Sequence, residues 1–203
     1  MLEVLNLDCV RGERRLFSRL NFSLQPGHFV QAFGPNGSGK TSLLRIICGL
    51  MIPAAGEVRW AGTNIRRLGE EYFAQIAYVA HQNGVKDELN PLENLCIASG
   101  IAGRSLTNQE AESLLQQVGL SKQRYLPARL LSAGQRRRLA LSRLLATKAR
   151  LWILDEPLSW LDDAGANLVR RLVDEHLTGD GMAIIATHQE MGLSAGRAQQ
   201  INF

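Results

Sequence analysis

The sequence has no long apolar run and no basic segment leading into one near its start. Its longest apolar stretch, residues 43–52, is interrupted by Arg45, so it is far shorter than the roughly 20 residues that a membrane-spanning helix needs. The first ten residues carry acidic rather than basic side chains, whereas a secretory signal begins with basic ones. We therefore expect a cytosolic protein with neither a membrane span nor a signal peptide.

Cysteine and net charge are also scarce. Cys9, Cys48 and Cys96 are too few and too scattered for a disulfide framework, and no pair has the spacing of metal ligands. We expect all three to be buried, reduced thiols. The formal net charge of +4 is a mild excess, which does not by itself indicate nucleic acid or an anionic membrane as a partner. With 45% hydrophobic and 21% charged residues, the composition predicts one compact globular domain.

Apolar patterning predicts a strand, a glycine-rich loop and a helix in succession. Residues 28–33 have the pattern of a strand, GPNGSGKT follows at 34–41, and the next segment, SLLRIICGL, has the apolar spacing of a buried helix. Two continuous apolar runs, residues 151–154 and 182–186, are typical of parallel strands covered on both faces. The order of these elements predicts an α/β fold.

Two further helices are predicted from their capping residues. Thr107 and Glu110 have the spacing of a capping box, an apolar stripe follows, and Gly119 provides the stop. Ser132 and Gln135 have the same spacing and begin a second apolar stripe. We therefore predict a helical insertion near residues 86–147, within a core formed by residues 1–85 and 148–203 of a single domain.

The glycine-rich segment matches the phosphate-binding pattern GxxxxGK[ST], and it lies between a strand and a helix, as that chemistry requires. Glycines let the backbone N–H groups approach phosphate oxygens, and the helix N-terminus adds a favourable dipole. Lys40 would neutralise the β and γ phosphates, and Thr41 would offer its hydroxyl to Mg²⁺. The alternative is a glycine-rich turn with a chance lysine. The residues predicted to contact the nucleotide here are Gly34, Pro35, Asn36, Gly37, Ser38, Gly39, Lys40, Thr41 and Ser42.

The run LWILDEP ends a predicted buried strand with two adjacent carboxylates, Asp155 and Glu156. Ligands of open α/β sheets bind beyond the carboxyl ends of the strands, so both side chains are candidates for chemistry. Asp155 would hold magnesium through water, and Glu156 would act as general base or orient the attacking water. Taken alone, the pair could equally be a solvated strand end before a proline turn.

The segment LSAGQ at residues 131–135, lying between the phosphate loop and the acidic pair, resembles the signature of the ATP-binding-cassette (ABC) family. The resemblance implies a P-loop core with a mostly parallel sheet, a small antiparallel β subdomain and an inserted helical subdomain. It also implies a homodimer in which Ser132, Gly134 and Gln135 of one copy contact the γ-phosphate bound by the other. Ser132 could instead serve only as a helix cap.

The resemblance extends to three further residues. It implies that Gln82 reaches magnesium and the attacking water, that Asp162 crosses the dimer interface, and that His188 hydrogen-bonds the γ-phosphate. The catalytic set it implies is Glu156, His188, Lys40 and Gln82, and the magnesium set is Thr41, Gln82 and Asp155. The predicted ligands are therefore ATP and Mg²⁺.

The sequence departs from the family near Arg11, where an aromatic residue usually stacks on adenine. A guanidinium plane can also stack on a base, so ATP is expected, and selectivity for adenine over guanine stays open. The basic run Arg136 to Arg138 could indicate nucleic acid, but it falls on the predicted signature helix and we interpret it as a solvated face. No nucleic-acid partner is predicted.

By the same resemblance, residues 80–95, AHQNGVKDELNPLENL, correspond to the segment with which ABC ATPases bind their membrane subunits. Together with the other motifs, this segment is similar to the ATP-binding subunits of the haem exporters used in bacterial cytochrome c maturation. The resemblance implies integral-membrane partners, haem handled by the complex rather than by this chain, and a peripheral place on the cytoplasmic face of the inner membrane. Alternatives are a haem ligand at His81, another small ABC transporter, or a soluble cassette ATPase acting on DNA or ribosomes.

Overall fold

The computed structural model describes residues 1–203 and contains nine strands and seven α-helices. The strands are β1 (Leu2–Arg11), β2 (Arg14–Leu24), β3 (His28–Phe33), β4 (Ala55–Trp60), β5 (Thr63–Asn64), β6 (Ile76–Val79), β7 (Leu151–Asp155), β8 (Met182–Thr187) and β9 (Arg197–Asn202). The α-helices are α1 (Lys40–Ile47), α2 (Ile65–Leu68), α3 (Glu70–Phe73), α4 (Pro91–Ile101), α5 (Asn108–Gln117), α6 (Ala133–Ala146) and α7 (Asp163–Thr178). Two 3₁₀ turns, Ser121–Gln123 and Ala128–Leu130, lie between α5 and α6.

Five strands form a parallel sheet in the order β6-β7-β8-β3-β9. Every residue of β7 and β8 is buried, which confirms the prediction of parallel strands covered on both faces. Each runs one residue past its predicted end, to Asp155 and Thr187. The carboxyl ends of β3, β7 and β8 therefore meet at one edge of the sheet.

Four strands form a separate antiparallel sheet in the order β2-β1-β4-β5. This confirms the antiparallel portion that the family resemblance implied. One face of this sheet is apolar, since Leu2, Val4, Leu7 and Cys9 on β1 are all buried. Alternate burial along β1 is what a sheet with one solvated face requires.

The two faces of the parallel sheet belong to different hydrophobic clusters, and β7 divides its side chains between them. Leu151 and Ile153 pack in a cluster with α1 and the antiparallel sheet. Trp152 and Leu154 pack in a second cluster with residues of α4, α5, α6 and α7. Because successive strand residues point to opposite faces, this layering fixes the orientation of the strand and of the residues at its end.

The predicted capping boxes are present. Thr107 and Glu110 bond reciprocally at the start of α5, and Ser132 and Gln135 do so at the start of α6. Gly119, with a φ of 70°, follows α5 as predicted. Helices α4, α5 and α6 all fall within residues 86–147, while the division of the chain into a core and an insertion stays a prediction.

Two of the three cysteines are buried as predicted, and the third is not. Cys9 and Cys48 are buried free thiols, but Cys96 is only half-buried, because α4 leaves one side open to solvent. None of the helices combines the length and the apolar character that a membrane span requires.

Candidate nucleotide site

The phosphate loop joins the end of β3 to the start of α1, and its backbone needs glycine at two points. Gly39 has a φ of 120°, and a Cβ added there would lie 3.2 Å from the Cβ of Leu16. A Cβ added at Gly34 would lie 2.9 Å from the carbonyl oxygen of Phe203. Both the left-handed backbone and the close neighbours therefore exclude larger residues here.

Lys40, the first residue of α1, is buried and faces back into the loop. Its Nζ donates hydrogen bonds to the carbonyl oxygens of Gly34 at 2.6 Å and Pro35 at 3.0 Å. The same Nζ lies 3.8 Å from Oε1 of Glu156. The ammonium group is therefore held between the loop and the end of β7, where an anion inside the loop would meet it.

Thr41 and Asp155 bring two oxygen donors together across the sheet edge. The Thr41 hydroxyl donates to Oδ2 of Asp155 at 2.9 Å. Burial raises the pKa of Asp155 above its ordinary value, while the hydrogen bond from Thr41 lowers it and the neighbouring Glu156 carboxylate raises it again. The chain thus holds a carboxylate in a position where its charge is poorly solvated.

Glu156 directly follows β7 and has a left-handed backbone, with a φ of 49°. Its Oε2 is hydrogen-bonded to Nδ1 of His188 at 2.9 Å. Its Oε1 is buried and has no hydrogen-bond partner, and the ammonium group of Lys40 lies 3.8 Å away. A buried acceptor without a donor is rare, and this one faces the phosphate loop, where a water molecule could donate to it.

The residues present fit a bound magnesium ion. Thr41 and Asp155 supply hard oxygen donors, and the Ser38 hydroxyl in the same loop is buried without a partner. The chain has no group of three or more His, Cys, Asp or Glu side chains that could hold a metal alone. Magnesium usually takes only one or two protein carboxylates and completes its shell with phosphates and water, so this sparse set suits it.

These groups line a cleft of about 680 Å³. The predicted site residues on its walls are Arg11, Asn36, Gly37, Gly39, Lys40, Thr41, Ser42, Gln82, Asp155 and Glu156. His188 joins them through its bond to Glu156. Gly34, Pro35 and Ser38 belong to the same loop but do not line the cleft.

Sequence reasoning missed several wall residues. They are Arg14, Leu16, Arg45, Tyr78, Ala80 and His81. Arg45 follows Thr41 by four residues on α1 and therefore lies on the same helix face. This spacing could have identified Arg45 as a cleft residue from the sequence. Arg14 gives the cleft a second arginine beside Arg11 at its rim, and nothing in its local sequence distinguishes it from the exposed Arg15.

The signature residues lie outside this cleft. Ser132 accepts a hydrogen bond from the Gln135 N–H at 3.2 Å and caps α6. A Cβ added at Gly134 would lie 2.9 Å from the carbonyl oxygen of Trp160, so the signature packs against residues 159–162. Asp162 accepts from the Gly165 N–H at 2.8 Å and caps α7. Within one chain, then, the signature and Asp162 form an exposed neighbouring surface, separate from the phosphate loop.

The interpretation of Arg136 to Arg138 as a solvated face is wrong. Arg137 is 0% exposed, Arg136 pairs with Asp87 at 2.6 Å, and Arg138 donates to the carbonyl oxygens that end α5. Arg137 stands three, four and seven residues before Ala140, Leu141 and Leu144, all of them buried, so helical periodicity assigned it to the apolar face. The run of three charges concealed that signal.

Comparison with known proteins agrees with this geometry. A sequence family described as ABC transporter matches residues 17–159. A "Cytochrome c biogenesis ATP-binding export protein" of Nitrosomonas europaea is 50% identical over 194 residues, covering 96% of this chain and 91% of that protein. The protein of the same description from Nitrosospira multiformis is 50% identical over 200 residues, covering 98% and 97%.

Two solved structures share the fold. An ABC transporter ATP-binding protein from Pyrococcus furiosus superimposes with a TM-score of 0.85 at 24% identity, covering 98% of this chain and 96% of that one. A dimeric ATP-binding cassette in a post-hydrolysis state with ADP and Pi gives a TM-score of 0.82 at 24% identity, covering 93% and 88%. The family match, the close relatives and the phosphate loop beside an acidic strand end show that this chain belongs to the ABC transporter family, as one of its ATP-hydrolysing subunits.

Proposed function

We propose that Glu156 is the general base of ATP hydrolysis in this chain and that the phosphate loop holds the nucleotide against it. The observation that carries this proposal is the buried, unpartnered Oε1 of Glu156, which faces Lys40 across the cleft. A water molecule bound there would donate one hydrogen bond to Oε1. As the water oxygen attacks the γ-phosphorus, its proton passes to Glu156 and the bond to the bridging oxygen of ADP breaks.

The other cleft residues position and neutralise the phosphates. The N–H groups of the loop and of the first turn of α1 point at phosphate oxygens, and Lys40 balances the charge of the β and γ groups. His188 holds Oε2 of Glu156, which leaves Oε1 for water, and its partly exposed ring would hydrogen-bond a γ-phosphate oxygen. Catalysis of this kind is mostly positioning and electrostatic stabilisation.

Thr41, Asp155 and Gln82 all line the cleft and would hold Mg²⁺, the first two through oxygens that are already paired with each other. When bound, Mg²⁺ would supply positive charge that offsets the charge developing on the phosphates during hydrolysis. Arg11 at the rim would stack on the base.

A second copy of the chain would complete the site. Ser132, Gly134 and Gln135 lie at the N-terminus of α6, where exposed N–H groups and the helix dipole favour an anion. Asp162 adjoins them through the contact between Gly134 and Trp160. In the proposed homodimer, this surface of one copy closes over the γ-phosphate held by the other, and two ATP molecules lie at the interface.

We further propose that the complex exports or releases haem for cytochrome c maturation. The names of the two relatives at 50% identity support this role, and the similarity covers nearly the whole chain, including the segment 80–95, which runs into the start of α4. The partners would be integral-membrane subunits that handle the haem, with this chain bound peripherally at the cytoplasmic face of the bacterial inner membrane.

The test is co-purification from detergent-solubilised bacterial membranes with ATP and Mg²⁺. An amino-terminally tagged chain should recover haem-handling membrane subunits, identified by mass spectrometry. The matched control is the same chain carrying Lys40→Ala. If assembly with the membrane subunits requires bound ATP, this variant should recover less of the complex. Recovery of unrelated permease subunits would retain the transporter ATPase and discard haem, and recovery of ribosomes or DNA alone would overturn the transport role.

A further inference from the structure

Arg137 is a fully buried arginine on the signature helix α6, and every N–H of its guanidinium has an acceptor. Nε donates to the Pro157 carbonyl at 3.3 Å, and one terminal nitrogen donates to Ala80 O at 2.8 Å and Asn83 Oδ1 at 3.1 Å. The other terminal nitrogen donates to the carbonyls of Asp155 at 2.7 Å and Glu156 at 2.8 Å. An arginine has five such donors, so none is left over.

The acceptors come from two separate segments that both contribute residues to the nucleotide cleft. Asp155 ends β7, with Glu156 and Pro157 directly after it, whereas Ala80 and Asn83 lie on either side of Gln82 in the segment after β6. Arg137 itself belongs to a third element, α6. One planar side chain therefore ties the proposed general base, the proposed water- and magnesium-contacting loop and the signature helix into one unit.

The positive charge of Arg137 is buried, so neighbouring protein groups must stabilise it in place of water. Burial lowers the pKa of Arg137 to about 10, while the carboxylates of Asp155 and Glu156 raise it, so the group stays protonated at neutral pH. A buried charge without partners would be costly. Four of the five bonds go to main-chain carbonyls and the fifth goes to the Asn83 side-chain amide. None goes to a carboxylate, so Arg137 leaves the carboxylate oxygens free for chemistry.

The turn that Arg137 holds is strained. Glu156 has a φ of 49°, and such a backbone persists in a residue other than glycine only where surrounding contacts fix it. Two bonds fix it here, from the Glu156 N–H to Ala186 O at 2.8 Å and from Arg137 to the Glu156 carbonyl. The direction of the Glu156 side chain follows from the same backbone.

We propose that Arg137 is a positioning residue for ATP hydrolysis, which aligns Glu156 with the Gln82 loop through main-chain hydrogen bonds and couples both to the signature helix. This inference rests on the proposed role of Glu156. Arg137 touches neither the phosphates nor the attacking water. Its loss should therefore change the rate of the chemical step and leave nucleotide binding by the phosphate loop in place.

The experiment compares Arg137→Lys with Arg138→Lys in the full chain, purified with its membrane partners. Lysine keeps the charge but cannot satisfy the acceptors on both segments. Arg138 is the matched control, since it is on the same helix and donates only to carbonyls at residues 118 and 119. The measurements are kcat and KM for ATP and the thermal unfolding midpoint, with Glu156→Gln and the double variant in the same series.

For Arg137→Lys we expect kcat to fall at least about tenfold, as small misplacements of catalytic groups do, with KM nearly unchanged. Arg138→Lys should retain the normal kcat. In the Glu156→Gln background, Arg137→Lys should cause no further loss, because it acts through Glu156.

A normal kcat for Arg137→Lys would overturn the inference. So would a loss of kcat in the Glu156→Gln background as large as in the wild type, or a fall in kcat/KM that comes entirely from a higher KM. Normal hydrolysis by Glu156→Gln would instead refute the proposed role of Glu156, so the two failures are distinguishable.

Discussion

Two adjacent residues at the end of β7 lower the free energy of unfolding of the nucleotide-free protein. Asp155 is almost completely buried, and its neighbour Glu156 adds a second carboxylate and a left-handed backbone. Both features oppose folding, although Thr41, His188 and Arg137 offset part of the cost. Their presence is understandable if a cation and phosphates complete the site.

Asp155→Asn should therefore stabilise the nucleotide-free protein near pH 7. The native pKa of Asp155 is raised above its unfolded value, so its ionised carboxylate destabilises the fold at pH values above the native pKa. That cost declines as the pH falls through the native pKa and is gone below the unfolded pKa, where the aspartic acid is protonated in both states and is uncharged like asparagine. Thermal unfolding of both proteins from neutral to acidic pH should show a gap that narrows on acidification.

The control is Asp163→Asn in the exposed first turn of α7, where a negative charge is favourable. That variant should be no more stable than the wild type. A less stable Asp155→Asn protein at pH 7 would mean that the hydrogen bond from Thr41 outweighs the cost of burial.

Single site residues could be predicted from the sequence where they belong to a recognisable motif. They could not be predicted where segments far apart in the sequence bring them together. Lys40, Thr41, Asp155 and Glu156 were identified as candidates from spacing, and the structure brings them into one cleft. The assignment of their roles stays a prediction. Arg14 and His81 could not be identified, because their place in the cleft depends on how separate strands meet.

At the scale of elements, helices α5 and α6 begin with the same device but face different surroundings. Each has a reciprocal capping box, formed by Thr107 with Glu110 and by Ser132 with Gln135. Neither Thr107 nor any residue of α5 lines the nucleotide cleft. The N-terminus of α6 carries the signature, so these two helices form a natural matched pair.

Ser132→Ala and Thr107→Ala should each lower the free energy of unfolding by about 1 kcal/mol, because each removes a cap. Only Ser132→Ala should also lower the kcat of the assembled ATPase, if Ser132 acts on the nucleotide of the second copy. Chemical denaturation and ATPase assays measure the two effects separately. Equal activity in the two variants would reduce Ser132 to a helix cap, the alternative that its sequence position left open.

The elements themselves were largely predictable. Continuous apolar runs located β7 and β8 because both faces of the parallel sheet are covered, and capping boxes located the starts of α5 and α6. The arginine run on α6 was misread because charge suggested solvent, while its helical register with Leu141 and Leu144 required burial. Composition and periodicity conflicted there, and periodicity was correct.

At the scale of the whole molecule, one chain holds a phosphate loop and a signature surface that do not meet. This separation is expected if two copies pair head to tail, with each surface completing the other's cleft. Nucleotide would then serve both as substrate and as part of the contact between copies.

Glu156→Gln should retain ATP and accumulate as a dimer, because the phosphate loop is intact and the general base is lost. Hydrolysis should fall by about 10²- to 10⁴-fold, the usual contribution of such a base. Sedimentation velocity with ATP and Mg²⁺ measures the dimer, and a phosphate-release assay measures the rate.

Two variants control this experiment. Lys40→Ala should lose productive ATP use and stay monomeric. Glu175→Gln alters an exposed carboxylate on α7 that pairs only with Arg171, so it should behave like the wild type. Normal hydrolysis by Glu156→Gln would show that another group accepts the proton.

The left-handed backbone at Glu156 also has a consequence for how the protein can evolve. Glycine and asparagine tolerate this conformation better than glutamate does, so replacement of Glu156 would relieve strain while removing the proposed base. Selection for thermal stability alone, in a laboratory population freed from the need for transport, should repeatedly enrich such substitutions. In a growing cell, selection for activity must continually remove them.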